Sequence, residues 1–215
     1  NIELSKNLSL EATINPDFSQ VEADETKIDI NSPTAINYPE KRPFFNKGID
    51  AMDYSLDVFN SRAINNPSFA GKILNQGKKS RLYFLSAFDE ETPYLVPTQY
   101  ESFSGVGGKS FSNVIRYQNF INSNAQVGVL SSNRSYEGGA YGNLFGVDAL
   151  FKISNIWKFE LEYFVNSNKE PIADWIESDK KFGDYTVRLD GEKISGSALY
   201  AEIRRETENW RSFIQ

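Results

Sequence analysis

The chain has 215 residues, a net charge of -6, and no Cys or His. Without thiol or imidazole side chains it cannot build the common zinc sites, a Ser-His or Cys-His nucleophile, or a disulfide framework. An acidic balance with no basic cluster argues against a nucleic-acid partner, and no run of about 18 apolar residues supplies a spanning helix.

In chain order, the first strand is predicted at 7–14, where Leu8, Leu10, Ala12 and Ile14 alternate with Ser9, Glu11 and Thr13. Residues 27–30 read as a short partner. From 31 to 77 the alternation dissolves into Pro, Asn and Gly with scattered aromatics, which reads as irregular chain with one helical turn near 53–59. Beyond it, strands are predicted at 79–88, 112–121, 125–131, 141–153, 156–166, 184–190, 193–204 and 209–215. The links 89–111, 132–140 and 167–183 are long, whereas 122–124, 154–155 and 191–192 are short. Strict alternation of long and short links puts tight turns on one rim of an antiparallel sheet and elaborate loops on the other, as in outer-membrane barrels. A soluble sandwich or up-and-down barrel is compatible with the same pattern.

The clearest ribbon is 141–165. Tyr141, Phe145, Val147, Ala149 and Phe151 share a face, as do Trp157, Phe159, Leu161, Tyr163 and Val165. The opposite face carries Asp148, Lys152, Lys158, Glu160 and Glu162, because side chains alternate along a strand. If the apolar face meets lipid, these five charges line a wet interior, and Tyr141, Trp157 and Tyr163 sit at headgroup levels. Glu160 and Glu162, two apart, have Cβ atoms about 7 Å from each other, a spacing that a paired-carboxylate glycosidase also uses. Asp89-Glu90-Glu91 opens the longest link with oxygen ligands of the kind calcium prefers, but three consecutive acids on an extended chain cannot all face one ion. In that link Tyr94, Tyr100 and Phe103 are candidate contacts, either stacking on sugar rings or folding the loop back over the sheet. Gly105-Val106-Gly107-Gly108-Lys109-Ser110 lacks the earlier glycine of a phosphate-binding loop and reads as a glycine-rich surface loop.

Asn15, Pro16, Asp17, Phe18, Glu22 and Asp24 belong to the stretch NPDFSQVEAD; Glu40, Lys41, Arg42, Pro43, Phe44 and Phe45 belong to PEKRPFF. This pair of motifs, in this order, resembles a family of large bacterial surface proteins best represented in the Bacteroidota. Its members join an N-terminal β-sandwich, similar to family-nine carbohydrate-binding modules, to a C-terminal outer-membrane β-barrel of unassigned function. The stretches at 113–134, 141–154 and 190–210 look like the same barrel region, while 30–37, INSPTAIN, departs from it.

The expected fold is therefore all-β: an antiparallel, outer-membrane-type barrel or partial barrel sheet of roughly ten strands. Residues 1–78 would form a barrel-entry segment with a plug-like or periplasmic region, and 79–215 the transmembrane-type strands, together a fragment of one larger barrel. The resemblance implies surface binding, transport or scaffolding linked to glycan handling, with outer-membrane lipid, other outer-membrane proteins and a glycan as partners. No catalytic residue, cofactor or metal ligand is assigned. The alternatives are a soluble ligand-binding β-module and, further off, a glycoside hydrolase built on Glu160 and Glu162.

Overall fold

The computed structural model describes residues 2–16, 40–97 and 102–215. Among these, ten strands form one antiparallel sheet: β1 (Ile2–Ser5), β2 (Leu8–Ile14), β3 (Pro67–Gln76), β4 (Ser80–Asp89), β7 (Ser110–Asn122), β8 (Ala125–Tyr136), β9 (Tyr141–Lys152), β10 (Trp157–Lys169), β15 (Lys193–Glu206) and β16 (Arg211–Ile214). Each pairs with the next in that order, so the sheet is a meander interrupted only by elements inserted in its links. A hairpin, β5 (Thr92–Pro97) with β6 (Ser102–Gly107), occupies the link before β7. Two small pairings, β11 (Ile172–Ala173) with β14 (Leu189–Asp190) and β12 (Lys181–Phe182) with β13 (Tyr185–Thr186), occupy the link before β15. β1 and β16 are the sheet's edges and do not pair with each other; the sheet is open and is not closed into a barrel. No helix among the described residues is long and apolar enough to cross a membrane.

The all-β, antiparallel expectation and the strand number hold, but the inventory changes. The predicted strand 184–190 is not a sheet strand; its residues make the short rim pairings, and β10 runs on to Lys169. In its place stand β1 and β3. The partner of β2 is β3, in register Leu10 with Ile73 and Ile14 with Phe69, and the segment 27–30 lies outside the described residues. The helical turn expected near 53–59 is absent; one helical turn, α1 (Pro43–Asn46), and two 3-10 turns at Ile49–Met52 and Ser61–Ala63 flank that stretch instead. The link after β8 is short, 137–140, because β8 extends to Tyr136. The two rims still differ. Turns at 6–7, 77–79, 123–124, 153–156 and 207–210 share one, while links 15–66, 90–109, 137–140 and 170–192 share the other.

The two faces of the sheet are opposite in kind. On one, register aligns Leu10, Ile73, Phe84 and Ile115 across four strands, and Tyr117, Val129, Val147, Tyr163 and Leu199 across five. Much of this apolar surface is open: Phe145 is 51% and Leu199 66% exposed, with Ile115, Tyr117, Val129, Val147 and Tyr163 also exposed. A polar row, Asn113, Asn133, Asn143, Ser167 and Ser195, crosses the strands on the side of the long links. Asn133 Nδ2 donates to Asn143 Oδ1 at 2.7 Å within that row. Tyr163 lies in the middle of the band, between Val147 and Leu199, and not at its border as expected; Trp157 does stand at the turn end of β10.

The other face is covered by residues 40–66, a strap that returns from the long-link rim. The main core lies between them: Phe45, Met52 and Ile64 of the strap pack with Leu74, Tyr83, Leu85, Val114, Leu130 and Phe164 of the sheet. The strap, read as irregular, thus supplies three of the eleven buried core residues among those described, and most of the partly buried ones packed against them.

Candidate functional site

Among the described residues, seven charged side chains of the covered face are buried: Glu11, Lys72, Asp89, Arg116, Asp148 in part, Glu162 and Glu202. A buried charge is tolerated only when paired and hydrogen-bonded, and the strap supplies most of the partners. Lys72 donates to the carbonyls of Phe44 and Lys47, the latter at 2.9 Å, and pairs with Glu11 Oε2 at 3.1 Å; Lys47 reaches the other oxygen of Glu11. Arg116, 2% exposed, forms a two-pronged pair with Asp148 through Nη1 and Nη2, the second bond measuring 3.0 Å, and donates from Nε to Ala51 O at 3.1 Å. Glu162, 3% exposed, accepts the backbone N–H groups of Ser55 and Leu56 at 2.8 and 3.0 Å. Glu160 takes Ser55 Oγ at 3.2 Å and pairs with Lys158.

Aromatic rings on the strap are matched to cations in the same way. Lys72 Nζ lies 4.9 Å from the Phe44 ring centroid, the Arg116 guanidinium 4.8 Å from that of Tyr54, and Arg42 4.2 Å from that of Phe45. Tyr54 also meets Phe164 edge to face at 5.1 Å. Phe164 can lie flat against the sheet because its partner across β9 is Gly146, where any Cβ would collide with the ring. Gly128 plays the same part for the Arg116–Asp148 pair.

The motif Glu40-Lys41-Arg42-Pro43-Phe44-Phe45 starts the strap. Arg42 pairs with Glu40 at 2.8 Å and donates to Ile64 O and Ser61 O at 2.6 and 3.0 Å, tying the strap's beginning to its end. Burial would raise the Glu40 carboxyl, but hydrogen bonds from Arg42 and Ser61 outweigh it and hold the group below the usual carboxylate range. Pro43 opens α1, where a missing N–H costs nothing. Of the first motif, Asn15 closes β2 in a left-handed conformation, φ 42, which Asn tolerates better than most residues. Pro16 follows it, and Asp17, Phe18, Glu22 and Asp24 lie outside the described residues.

Thus Asp148, Lys158, Glu160 and Glu162 meet on the covered face, whereas Lys152 is exposed at the turn end of β9. Of the loop candidates, Tyr94 packs against Tyr136 and Trp175, with ring centroids 5.9 and 6.3 Å away, and Phe103 lies under Lys180. Tyr100 lies outside the described residues. These rings join a second small core of Ile176, Val187 and Leu189 that binds the hairpin β5–β6 to the link 170–192. The glycine-rich loop has a packing reason: Gly105, Gly107 and Gly108 leave the space that Trp175 fills. Asp89, Glu90 and Glu91 diverge. Asp89 is buried and accepts the N–H groups of Asn65 and Asn66, Glu90 pairs with Lys109, and Glu91 is exposed.

Sequence reasoning missed Glu11, Lys72, Arg116 and Glu202. Glu11, Arg116 and Glu202 are charges at inward positions of strands whose other face is apolar, a parity that could have found them; Lys72 sits on β3, which has no such parity. Two cavities flank the strap, one of about 510 Å³ toward the long links, lined in part by Arg134, Asn166 and Asn168, and one of about 240 Å³ toward the turns, lined in part by Asp53, Arg116 and Glu160.

The chain is similar to a family described as a domain of unknown function (DUF5916) over residues 3–81. That stretch holds β1 to β3, the whole described strap and the start of β4. No curated protein and no solved structure matches the chain.

Proposed function

We propose that this chain forms part of the wall of an outer-membrane-type β-barrel, with the apolar band against lipid and the strap plugging the interior. The observation that carries the reading is the set of exposed large apolar side chains on one face of nine of the sheet's ten strands, the kind of contiguous apolar surface that marks a contact with a partner or a membrane. The opposite face is covered as well, with charges buried beside an apolar core under the strap, so neither face is the solvated polar one that a one-sided soluble sheet presents. The apolar run on β10 from Trp157 through Val165 is as long as the about 9–11 residues a tilted spanning strand needs. In hydrocarbon every backbone donor and acceptor must be satisfied within the protein. The open edges β1 and β16 would therefore meet further strands or each other.

In such a barrel a strap anchored at many points would obstruct the interior, which suits surface binding or scaffolding better than free diffusion of solutes. The similarity over 3–81 spans the strap and its motifs. A link to glycan handling, the bacterial group and a carbohydrate-binding-like neighbour rest on the motif resemblance alone. A glycosidase is not favoured, because Glu162 is occupied by two strap N–H groups and Glu160 by Ser55 and Lys158. Fractionation tests the reading: the chain should sediment with outer membranes, resist alkaline carbonate and require detergent for release. A protein recovered monomeric in buffer without detergent would overturn it.

A further inference from the structure

The link 170–192 holds a group of carboxylates that neither strap nor sheet uses. Glu170 immediately follows β10 and Glu192 immediately precedes β15, and the N–H of Glu170 donates to Glu192 O at 2.9 Å. The pairing of β11 with β14 brings Asp190 to the same place. Carboxylate oxygens from the three lie within 4.8 Å of one another.

The hydrogen bonding of these acids is incomplete. Glu170 is 3% exposed, and its Oε2 is buried without a partner. Glu192 Oε1 accepts the N–H of Thr186 at 3.2 Å, while its Oε2 is also buried and unpartnered. Asp190 Oδ2 accepts Thr186 Oγ1 at 3.0 Å. Thr186 therefore orients two of the acids and leaves oxygens over. Among the described residues no Lys or Arg forms a salt bridge with any of the three. Burial, followed by the charges of Glu192 and Asp190, pushes the Glu170 carboxyl up to about 7. Orphaned oxygens in a native interior call for a missing partner.

We infer that Glu170, Asp190 and Glu192 bind a hard divalent cation, calcium, that closes the base of the link 170–192. The donors are all oxygen, which suits calcium or magnesium and not the softer metals. Oxygens on opposite sides of a calcium ion at about 2.3–2.6 Å are roughly 4.6–5.2 Å apart, so three oxygens within 4.8 Å of one another fall inside the span of one coordination shell. Magnesium, at about 2.0–2.1 Å, needs a tighter octahedron and gives up water reluctantly. Water or backbone carbonyls complete the shell, and exposed Asp190 marks the way in. The ion would hold the two ends of the link together and so steady the rim core of Trp175, Ile176, Val187 and Leu189.

The test is calcium chloride titrated into the whole chain in detergent, after chelation, read by calorimetry and by the unfolding temperature. One ion per chain should bind, with a dissociation constant near about 10⁻⁴–10⁻³ M and more tightly than magnesium, and the unfolding temperature should rise with calcium. Glu170→Gln and Glu192→Gln should each weaken binding about tenfold or more, as loss of a ligand charge does. In chelator, Glu170→Gln should be at least as stable as the parent, since it removes a buried repulsion. Absence of heat and of a temperature shift up to ~10 mM calcium, above the weakest extracellular sites, would overturn the inference. So would a calcium response that persists in both variants.

Discussion

Arg116 and Asp148 show most sharply what a single residue does here. Removing one partner of a buried pair strands the other charge, so Asp148→Ala should cost about 3–5 kcal/mol, read by urea unfolding in detergent. Replacing both by leucine should cost much less, because no uncompensated charge is left. Gly146 makes a complementary case: Gly146→Ala drives a methyl into Phe164 and should destabilise by about 1–3 kcal/mol, as overpacking does. Glu40 links the strap to pH. Its folded pKa is depressed, so its stabilising contribution is present above the ordinary value of 4.5 and is lost only as pH falls through the lower folded value. The stability gap between the parent and Glu40→Gln should therefore be constant from pH 7 down to about 5 and close in stronger acid. A gap that closed between pH 7 and 5 would remove Glu40 as an anchor.

At the scale of elements, the strap is held by its own aromatic core as much as by the charges of the sheet. Phe45 is fully buried at the centre of that core, and Phe45→Ala should cost about 3–5 kcal/mol. Hydrogen exchange should then show the amides of 43–66 losing protection while those of β9 and β10 keep theirs; uniform loss across the sheet would mean that strap and wall fold as one unit. The same elements mark where sequence reading succeeded. β7 to β10 and β15 were legible because one face of each is apolar and the other polar, which gives period two directly. β3 was not, since Leu74 on one side and Phe69 and Ile73 on the other make it apolar on both faces, and Pro67, Gly71 and Lys72 break the run. Residues 184–190 alternate as a strand does, but Val187 and Leu189 are spent on the rim core. The strap has no period because it is matched group by group to a wall, and such matching is invisible until the wall exists.

Across the whole molecule, burial and sequence parity agree on a sheet with one open apolar face and one face of charges and core under the strap. Charges that would be solvated on a soluble sheet are sequestered beside an apolar core, and large apolar side chains are exposed on the opposite face of nine of the ten strands, β4 being the exception. The alternation of long and short links breaks at 137–140, which is no longer than the turn 153–156, but the other long links all lie on one rim and every remaining turn on the other. The absence of cysteine makes that arrangement directly measurable, since a single introduced thiol labels one site. Leu199→Cys, on the open face, and Asn46→Cys, on the strap, would each carry an environment-sensitive fluorophore in vesicles whose acyl chains are brominated. A wall facing lipid predicts strong quenching at 199 and little at 46. Equal and weak quenching at both positions, with the chain remaining in the aqueous phase, would contradict it.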